Sequence, residues 1–312
     1  MLGHKKNTVP KASHSDKLGI YIHIPFCRSK CDYCDFYSLA GREEQMDRYQ
    51  KALLAHIRET APLAQGIGVD SVYFGGGTPS FYGDRRLREV LSLLEKQFSL
   101  DRDAEITLEA NPDSVDLKSL RRLRKAGFNR ISLGMQSAQP QELADVHRPH
   151  TPAQTDQAVA AAKKAGFRNL SLDLIYGLPG QTMDSWKTTV EHALSLIPQH
   201  LSCYGLKVEE GTPLARRVEA GEVLPDDDMQ ADLYLWTVGR LATGNGISPF
   251  FIYYPGVVSH GQRTEPAWDE INTEAGRKTC YLESGEQMEL GVIPPESMHG
   301  IWITWKIRWV IT

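Results

Sequence analysis

A repeated alternation of strand and helix patterns most constrains the fold of this chain. Short apolar runs rich in Ile, Val and Leu alternate six times with longer segments whose apolar residues recur every three to four positions. The predicted strands are 18–24, 69–74, 104–108, 130–135, 169–175 and 200–206. The predicted helices are 43–64, 84–98, 116–126, 152–165, 182–197 and 227–241. Six successive units of this kind predict an α/β fold with a parallel sheet, either a partial barrel or a doubly wound sheet.

Polar and unusual residues cluster where the predicted strands end. They are Cys27, Gly75–Thr78, Glu109, Gln136, Asp173 and Tyr204. In parallel α/β folds the carboxyl ends of the strands meet at one edge, where active sites lie. We therefore expect these residues to line one site, whichever of the two architectures is correct.

Three of the five cysteines fall within eight residues, directly after the first predicted strand. Cys27, Cys31 and Cys34 have the spacing C-x3-C-x2-C, which allows three thiolates on one loop to bind a metal centre. They are one ligand short of the four that complete a structural zinc site. A zinc site completed by His23 or Cys203 is the alternative, although zinc sites favour paired C-x2-C elements.

A glycine run, Gly75-Gly76-Gly77-Thr78-Pro79, follows the second predicted strand. Glycines in this position let the backbone approach a ligand without interference from Cβ atoms. The run lacks both the Lys-Ser/Thr ending of a phosphate-binding loop and the spacing of a dinucleotide fingerprint. The sequence therefore leaves two interpretations, a ligand-binding turn and a tight turn of structural origin.

Charge, hydropathy and cysteine content indicate which binding partners and which cellular compartment suit this chain. The 312-residue chain has a formal net charge of -4, which gives no basic field for nucleic acid. No apolar run has transmembrane length. Residues 1–17 are polar, lack the apolar core of a signal peptide and are predicted to be a flexible N-terminus. Five cysteines with three of them crowded together fit a reduced, cytoplasmic setting better than a disulfide framework.

The cysteine spacing after the first strand resembles the signature of the radical S-adenosylmethionine (SAM) superfamily. The resemblance implies a partial (β/α)6 barrel of the TIM type. It also implies a [4Fe-4S] cluster in which Cys27, Cys31 and Cys34 hold three irons and SAM binds the open iron. In that superfamily one-electron reduction of SAM releases a 5′-deoxyadenosyl radical.

The resemblance also assigns SAM contacts to eight positions of this chain. They are Tyr21, Tyr33, Gly77, Thr78, Glu109, Gln136, Arg148 and Asp173. SAM carries a sulfonium, an ammonium, a carboxylate and a ribose diol. A ring of acidic, amide and guanidinium groups supplies a charge or hydrogen-bond partner for each of these.

Four segments narrow the resemblance to the oxygen-independent coproporphyrinogen III oxidase group. They are 22–27, 75–79, 132–137 and 173–180. The oxidases of that group carry a further cysteine after the third one, as Cys-x-Cys, whereas Asp35 and Phe36 follow Cys34 here. This departure favours the heme chaperone branch. Coproporphyrinogen dehydrogenation by a deoxyadenosyl radical, a step of porphyrin biosynthesis, is the alternative.

The heme chaperone interpretation carries expectations about partners. It implies heme, an electron donor such as a flavodoxin- or ferredoxin-like protein, and respiratory proteins that receive heme. His147 and His150 flank Arg148, and either histidine can ligate heme iron. The alternative for His150 is that it positions the loop that carries Arg148.

The family pattern covers residues 18–242 and stops near the end of the last predicted helix. Residues 243–312 show no clear strand or helix periodicity, and we expect an irregular C-terminal extension that is divergent, truncated or read in an altered frame. A distinct C-terminal domain is the alternative.

Overall fold

One sheet of eight strands forms the centre of the part of the chain that the structure describes. In the computed structural model these residues are 17–242, 248–252 and 303–307. Two further strands of two residues each form a separate pair. In chain order the strands are β1 (Leu18–Ile24), β2 (Phe26–Cys27), β3 (Leu39–Ala40), β4 (Gly68–Gly76), β5 (Ser99–Ala110), β6 (Arg130–Gln136), β7 (Asn169–Tyr176), β8 (His200–Gly205), β9 (Ser248–Ile252) and β10 (Ile303–Ile307).

Helices fill most of the connections between the strands. They are α1 (Met46–Thr60), α2 (Pro79–Tyr82), α3 (Asp84–Gln97), α4 (Leu117–Lys125), α5 (Pro140–Asp145), α6 (Pro152–Ala165), α7 (Met183–Ser195), α8 (Pro213–Glu219) and α9 (Asp227–Ala242). Within the described ranges, no helix is long and apolar enough to cross a membrane.

The order of the strands separates the two architectures that the sequence leaves open. The sheet runs β10-β1-β4-β5-β6-β7-β8-β9, so the six parallel strands from β1 to β8 lie side by side in chain order. A doubly wound sheet reverses its direction of growth at a switch point, whereas a barrel adds strands in one direction. The sheet is therefore of the barrel type, and among the described strands β10 and β9 form its two edges.

Burial alternates along β1, so one face of the sheet packs in the core and the opposite face, here called the inner face, stays partly accessible. Leu18, Ile20, Ile22 and Ile24 are each at most 2% exposed and pack in the main hydrophobic core. That core also contains the buried apolar residues of α1 and α3. The intervening residues of β1 are partly accessible, and among them Tyr21 stacks on Tyr73 of β4. The apolar face of the sheet thus packs on helices, and the other face carries the polar side chains.

Local capping signals fix where three of the helices begin. Asp116, Thr151 and Thr182 each accept a hydrogen bond from the third residue of the helix that follows, whose side chain bonds back. These capping boxes satisfy backbone N–H groups that have no partner inside the helix. They place the starts of α4, α6 and α7 within one residue of the predicted positions.

The structure also contains elements that the sequence patterns do not predict. The helices α2, α5 and α8 have four, six and seven residues, too few to establish helical periodicity. Strands β9 and β10 have five residues each and lie in the region without clear periodicity. β9 pairs in parallel with β8, and β10 pairs antiparallel with β1. The remaining residues of 243–312 lie outside the described part of the chain, so the predicted domain boundary at 242 stays a prediction.

Candidate functional site

The three clustered cysteines lie on one loop beyond the carboxyl end of β1, here called the cysteine loop (residues 27–38). Its two ends are held together because Phe26–Cys27 pairs with Leu39–Ala40. The backbone N–H of Cys34 donates to the carbonyl of Cys31 at 3.1 Å, which closes a turn between them. Cys27 and Cys31 are buried, and Cys34 is partly accessible. The fold thus holds three thiols on a short, closed loop.

Two hydrogen-bond donors reach the sulfur atoms. Thr78 Oγ1 lies 3.4 Å from Cys27 Sγ, and Arg148 Nη1 lies 3.3 Å from Cys31 Sγ. Burial raises the pKa of the Cys27 and Cys34 thiols, so thiolates at these positions need positive charge beside them. Iron supplies such charge, and the donors from Thr78 and Arg148 stabilise electron density on sulfur. The surroundings of the thiols therefore fit a metal cluster.

The arrangement of the thiols does not fit a mononuclear metal site. Among the residues that the structure describes, no three His, Cys, Asp or Glu side chains converge as ligands of one ion. His23 is not available as a fourth zinc ligand, because Nε2 donates to the Tyr37 carbonyl at 3.0 Å and Nδ1 lies 3.2 Å from the Tyr21 hydroxyl. Cys203 is fully buried in the hydrophobic core. In an iron–sulfur cluster each thiolate binds a different iron, so convergence on one point is not needed.

The glycine run at the end of β4 crosses the cysteine loop at contact distance. Gly77 N donates to the Ile24 carbonyl and Thr78 N to the Phe26 carbonyl, both at 2.8 Å. A Cβ atom at Gly77 would lie 2.9 Å from the Phe26 carbonyl oxygen and 3.0 Å from Cys27 Sγ. Only glycine fits this close approach. The run is therefore more than a tight turn, because it supports the first cysteine directly.

Arg148 ties the cysteine loop to the ends of two strands. Nη2 donates to Asn111 Oδ1 at 2.8 Å and to the Gly134 carbonyl at 3.1 Å, while Nη1 reaches Cys31 Sγ and, at 3.4 Å, the Tyr33 hydroxyl. Its Nε is buried without a hydrogen-bond partner among the described protein groups. One donor of this guanidinium is thus left for another group.

Asn111 belongs to the same network, although the sequence interpretation does not single it out. Its Oδ1 accepts from Arg148, and its Nδ2 donates to Thr78 Oγ1 at 3.3 Å. Asn111 therefore links the two side chains that donate to sulfur. Its position two residues after Glu109, at the end of a strand, is the signal that points to it.

Glu109 forms the acidic part of the inner face. Its carboxylate accepts from the Tyr73 hydroxyl at 2.6 Å and from Gly76 N at 3.2 Å. Burial raises the pKa of Glu109 to about 7, and the nearby Asp173 charge adds to this, whereas the hydrogen bond from Tyr73 opposes it. Tyr21 stacks on Tyr73 with ring centroids 6.0 Å apart. A cation bound beside Glu109 would lower its pKa and so favour the ionised carboxylate.

Asp173 and Gln136 complete the inner face. Ser132 Oγ lies 2.9 Å from both carboxylate oxygens of Asp173, and burial raises the pKa of that carboxyl. Gln136 has φ 62°, a left-handed conformation that is uncommon outside glycine, and its Oε1 is buried without a hydrogen-bond partner among the described groups. A Cβ atom at Gly134 would lie 2.9 Å from Gln136 Nε2 and 3.0 Å from Arg148 Nη2. The side chains of Gln136 and Arg148 thus converge at Gly134, where a larger residue would not fit.

The structure brings the predicted contact residues to one region. Seven of the eight are partly accessible, and only Thr78 is buried. Acceptors on Glu109, Asp173 and Gln136 suit the positive groups that SAM carries, and the free donor on Arg148 suits its carboxylate. Unsatisfied polar atoms on Gln136 and Arg148 are the atoms that a polar ligand would satisfy. The residues present therefore fit SAM as well as a cluster.

The two histidines that flank Arg148 differ in their surroundings. His150 is 3% exposed, its Nε2 donates to the Met135 carbonyl at 3.1 Å, and burial together with the Arg148 charge lowers its pKa to about 4. It is a neutral, enclosed residue that anchors the loop. The side chain of His147 is 70% exposed, and its Nδ1 donates to Asp32 Oδ2 at 2.9 Å. Of the two, only His147 presents a ring nitrogen toward solvent.

Residues 21–193 match the Radical SAM superfamily, a stretch that covers more than half of the 312-residue chain and includes the cysteine loop. The chain belongs to the radical SAM superfamily. Membership implies a [4Fe-4S] cluster and SAM, which agrees with the chemistry of the loop and of the inner face. The predicted partial barrel of the radical SAM kind is likewise confirmed.

Relatives within the superfamily carry the name heme chaperone. "Heme chaperone HemW" of Mycobacterium tuberculosis is 41% identical over 228 residues, which are 72% of this chain and 58% of that protein. The protein of the same name from Escherichia coli is 38% identical over 218 residues, 70% of this chain and 57% of that protein. The predicted relationship to this branch is confirmed. The chain spans less than three fifths of the length of these relatives.

A solved structure from the same group shows the same architecture. The coproporphyrinogen III oxidase HemN of Escherichia coli, described as a radical SAM enzyme, superposes with a TM-score of 0.66 at 32% sequence identity. The match covers 71% of this chain and 51% of HemN. The two branches that the sequence weighs are thus both represented among the similar proteins.

Proposed function

We propose that this chain is a radical SAM protein of the heme chaperone type, which binds a [4Fe-4S] cluster, SAM and heme. The observation that carries the proposal is the contact of Arg148 with Cys31 Sγ, Gly134 and Asn111, because it joins the cysteine loop to the strand ends. The identities of 41% and 38% to heme chaperones support the choice of branch. A cytoplasmic, reduced setting is part of the proposal and is supported by the crowding of cysteines on one loop.

The residues of the cysteine loop have defined roles in this proposal. Cys27, Cys31 and Cys34 each bind one iron, and Thr78 and Arg148 donate hydrogen bonds to two of the thiolate sulfurs. These hydrogen bonds stabilise the negative charge on the sulfurs and orient the two cysteine side chains. When bound, the cluster supplies one electron for the cleavage of SAM.

The inner face holds SAM in this proposal. Glu109, Asp173 and Gln136 would supply acceptors for the ammonium group and the ribose hydroxyls, and Arg148 would supply a donor for the carboxylate. Tyr21 and Tyr33 contribute aromatic surface, and Tyr33 is held by Arg148 at 3.4 Å. Gly77 lets the backbone pass at contact distance from Phe26 and Cys27, and Thr78 donates to Cys27 Sγ, at the point where the cysteine loop and the inner face meet.

A second candidate is oxygen-independent coproporphyrinogen III oxidase activity. The structural similarity to HemN favours it. The residues after Cys34 oppose it, because Asp35 and Phe36 stand where the oxidases carry a further cysteine. Phe36 has no side-chain atom that can bind iron, so it offers no ligand beside the third thiol.

Two measurements on anaerobically reconstituted protein separate the candidates. The chaperone proposal predicts a saturable Soret shift on titration with heme, and no protoporphyrinogen when coproporphyrinogen, SAM and a reductant are supplied. Accumulation of protoporphyrinogen would instead establish the oxidase. An electron donor of the flavodoxin or ferredoxin class and respiratory proteins that accept heme complete the proposal, and pull-down with purified candidates tests them.

A further inference from the structure

The segment between the second and third cysteines is fastened to two other parts of the chain. The N–H of Asp32 donates to the Val146 carbonyl at 3.2 Å, and its carbonyl accepts from Leu214 N at 3.0 Å. Val146 lies just beyond α5, and Leu214 lies in α8. The backbone of the cysteine loop is therefore held from both sides at one residue, directly after Cys31.

The side chain of Asp32 makes the same two connections. Its Oδ2 accepts from His147 Nδ1 at 2.9 Å and from Arg217 Nη1 at 2.8 Å, although Arg217 lies 185 residues further along the chain. Asp32 is only 6% exposed. A carboxylate with so little access to water depends on these two donors for its stability.

Arg217 is held in place by two further hydrogen bonds. Its Nη1 also donates to the Asp145 carbonyl, and its Nη2 donates to Glu222 Oε1 at 2.6 Å. The guanidinium thus spans α8, the end of α5 and the cysteine loop at once. Residue 217 lies beyond the stretch 21–193 that matches the superfamily, so this contact comes from outside the matched region.

We infer that Arg217 is a positioning residue for the cluster, acting through Asp32 to set the conformation of the cysteine loop and its local charge. The inference rests on the proposed function only in that the cluster must assemble on Cys27, Cys31 and Cys34. Arg217 compensates the charge of the Asp32 carboxylate, which belongs to the residue after Cys31. The reduction potential of a cluster held by Cys31 would depend on charge near it, and without Arg217 the buried carboxylate would lack one of its two donors and leave an uncompensated negative charge on the cysteine loop.

The test compares Arg217→Gln with Arg216→Gln, a matched control on the same helix. Arg216 is exposed and donates to the Gly211 carbonyl at 3.0 Å, away from the cysteine loop. In Arg217→Gln we expect the reduction potential of the reconstituted cluster, followed by redox titration, to become more negative. We also expect loss of iron to a chelator to become roughly tenfold faster, because groups that orient metal ligands contribute to metal affinity by about that factor. Arg216→Gln should match the wild type in both.

Two further variants separate positioning from general destabilisation. Arg217→Lys keeps the positive charge and should recover most of the wild-type potential. The double variant Asp32→Asn with Arg217→Gln removes the uncompensated carboxylate and should return the potential toward the wild-type value.

Three outcomes would count against the inference or its basis. A potential in Arg217→Gln equal to that of Arg216→Gln would overturn the inference, as would a double variant that keeps the full shift of the single one. If the wild-type protein itself assembled no cluster, the proposed function would fail instead, and the two failures are therefore distinguishable.

Discussion

At the scale of single residues, the candidate site depends on charges held away from water. Glu109 illustrates this, because its carboxyl accepts two hydrogen bonds and nevertheless has a pKa raised to about 7 by burial. The carboxylate is costly without a neighbouring cation and is favoured when one binds beside it. The inner face is therefore suited to a positively charged ligand.

This shift predicts a pH dependence of stability for the cluster-free protein. The folded pKa of Glu109 lies above its ordinary value of 4.5, so the folded state binds the proton more tightly than the unfolded state. The resulting stabilisation is fully present below about pH 4.5 and is lost as pH rises through about 7. Glu109→Gln should lose this component. Urea unfolding of both proteins between pH 5 and about pH 8 measures it, and identical pH profiles would contradict the assignment.

Asp173 supports a prediction about ligand affinity. Asp173→Ala removes an acceptor that Ser132 orients at 2.9 Å, and it leaves the three cysteines untouched. We expect SAM affinity to fall about tenfold, the effect of losing about 1.4 kcal/mol of polar interaction. The iron and sulfide content should stay at the wild-type level. Equilibrium dialysis with labelled SAM measures the affinity, and an unchanged dissociation constant would remove Asp173 from the site.

At the scale of elements, the site is made where strand ends, short helices and one loop touch. The end of β4 passes so close to the cysteine loop that a Cβ atom at Gly77 would contact both the Phe26 carbonyl and Cys27 Sγ. Arg148 joins the same loop to the ends of β5 and β6. The position of the loop is therefore set by three strands and not by its own sequence alone.

The close approach at Gly77 predicts the effect of a single methyl group. Gly77→Ala should displace the cysteine loop and lower cluster content, with a cost of about 1–3 kcal/mol typical of overpacking. Gly239→Ala in α9 is the control, because a Cβ there meets no atom within 4 Å. The control should keep its cluster and gain slightly in stability, since alanine favours helices. Equal cluster content in the two variants, from iron and sulfide assays, would refute the steric role of Gly77.

Long patterns in the sequence are sufficient to predict most of these elements, and short or distant ones are not. The Ala-rich sequence closed by Gly166 predicts the helix 152–165 with its observed bounds, and in the structure a capping box at Thr151 fixes its start. By contrast, α8 has only seven residues, and its contact with Asp32 depends on how the whole barrel closes. The cysteine spacing predicts the three thiols on one loop, and the strand end points to Asn111, but no local pattern indicates that Arg217 supports that loop.

At the scale of the whole molecule, the fold and the site are energetically linked. The cysteine loop is held by β1, β4, α8 and the segment after α5, so the loop that would carry the cluster connects parts of the chain that are far apart in sequence. A ligand that binds only the folded state stabilises it by mass action. Cluster and SAM should therefore both raise the stability of the protein.

This linkage predicts a thermal shift. SAM at a hundred times its dissociation constant should stabilise the cluster-loaded protein by about 2.7 kcal/mol. For a domain of this size that corresponds to roughly 5–10 °C in the unfolding midpoint, at about 2–4 °C per kcal/mol. The cluster-free variant Cys34→Ala should show a much smaller shift. Equal shifts in both proteins would mean that SAM binds without the open iron.

The most direct test of the central claim is electron paramagnetic resonance of the anaerobically reconstituted and reduced protein, recorded with and without SAM. Three thiolates on the cysteine loop and an open iron predict the signal of a reduced [4Fe-4S] cluster that changes shape when SAM is added. The signal should be absent when Cys27, Cys31 or Cys34 is replaced by alanine. Bound zinc without iron, or a cluster signal that SAM leaves unchanged, would contradict the assignment of this site.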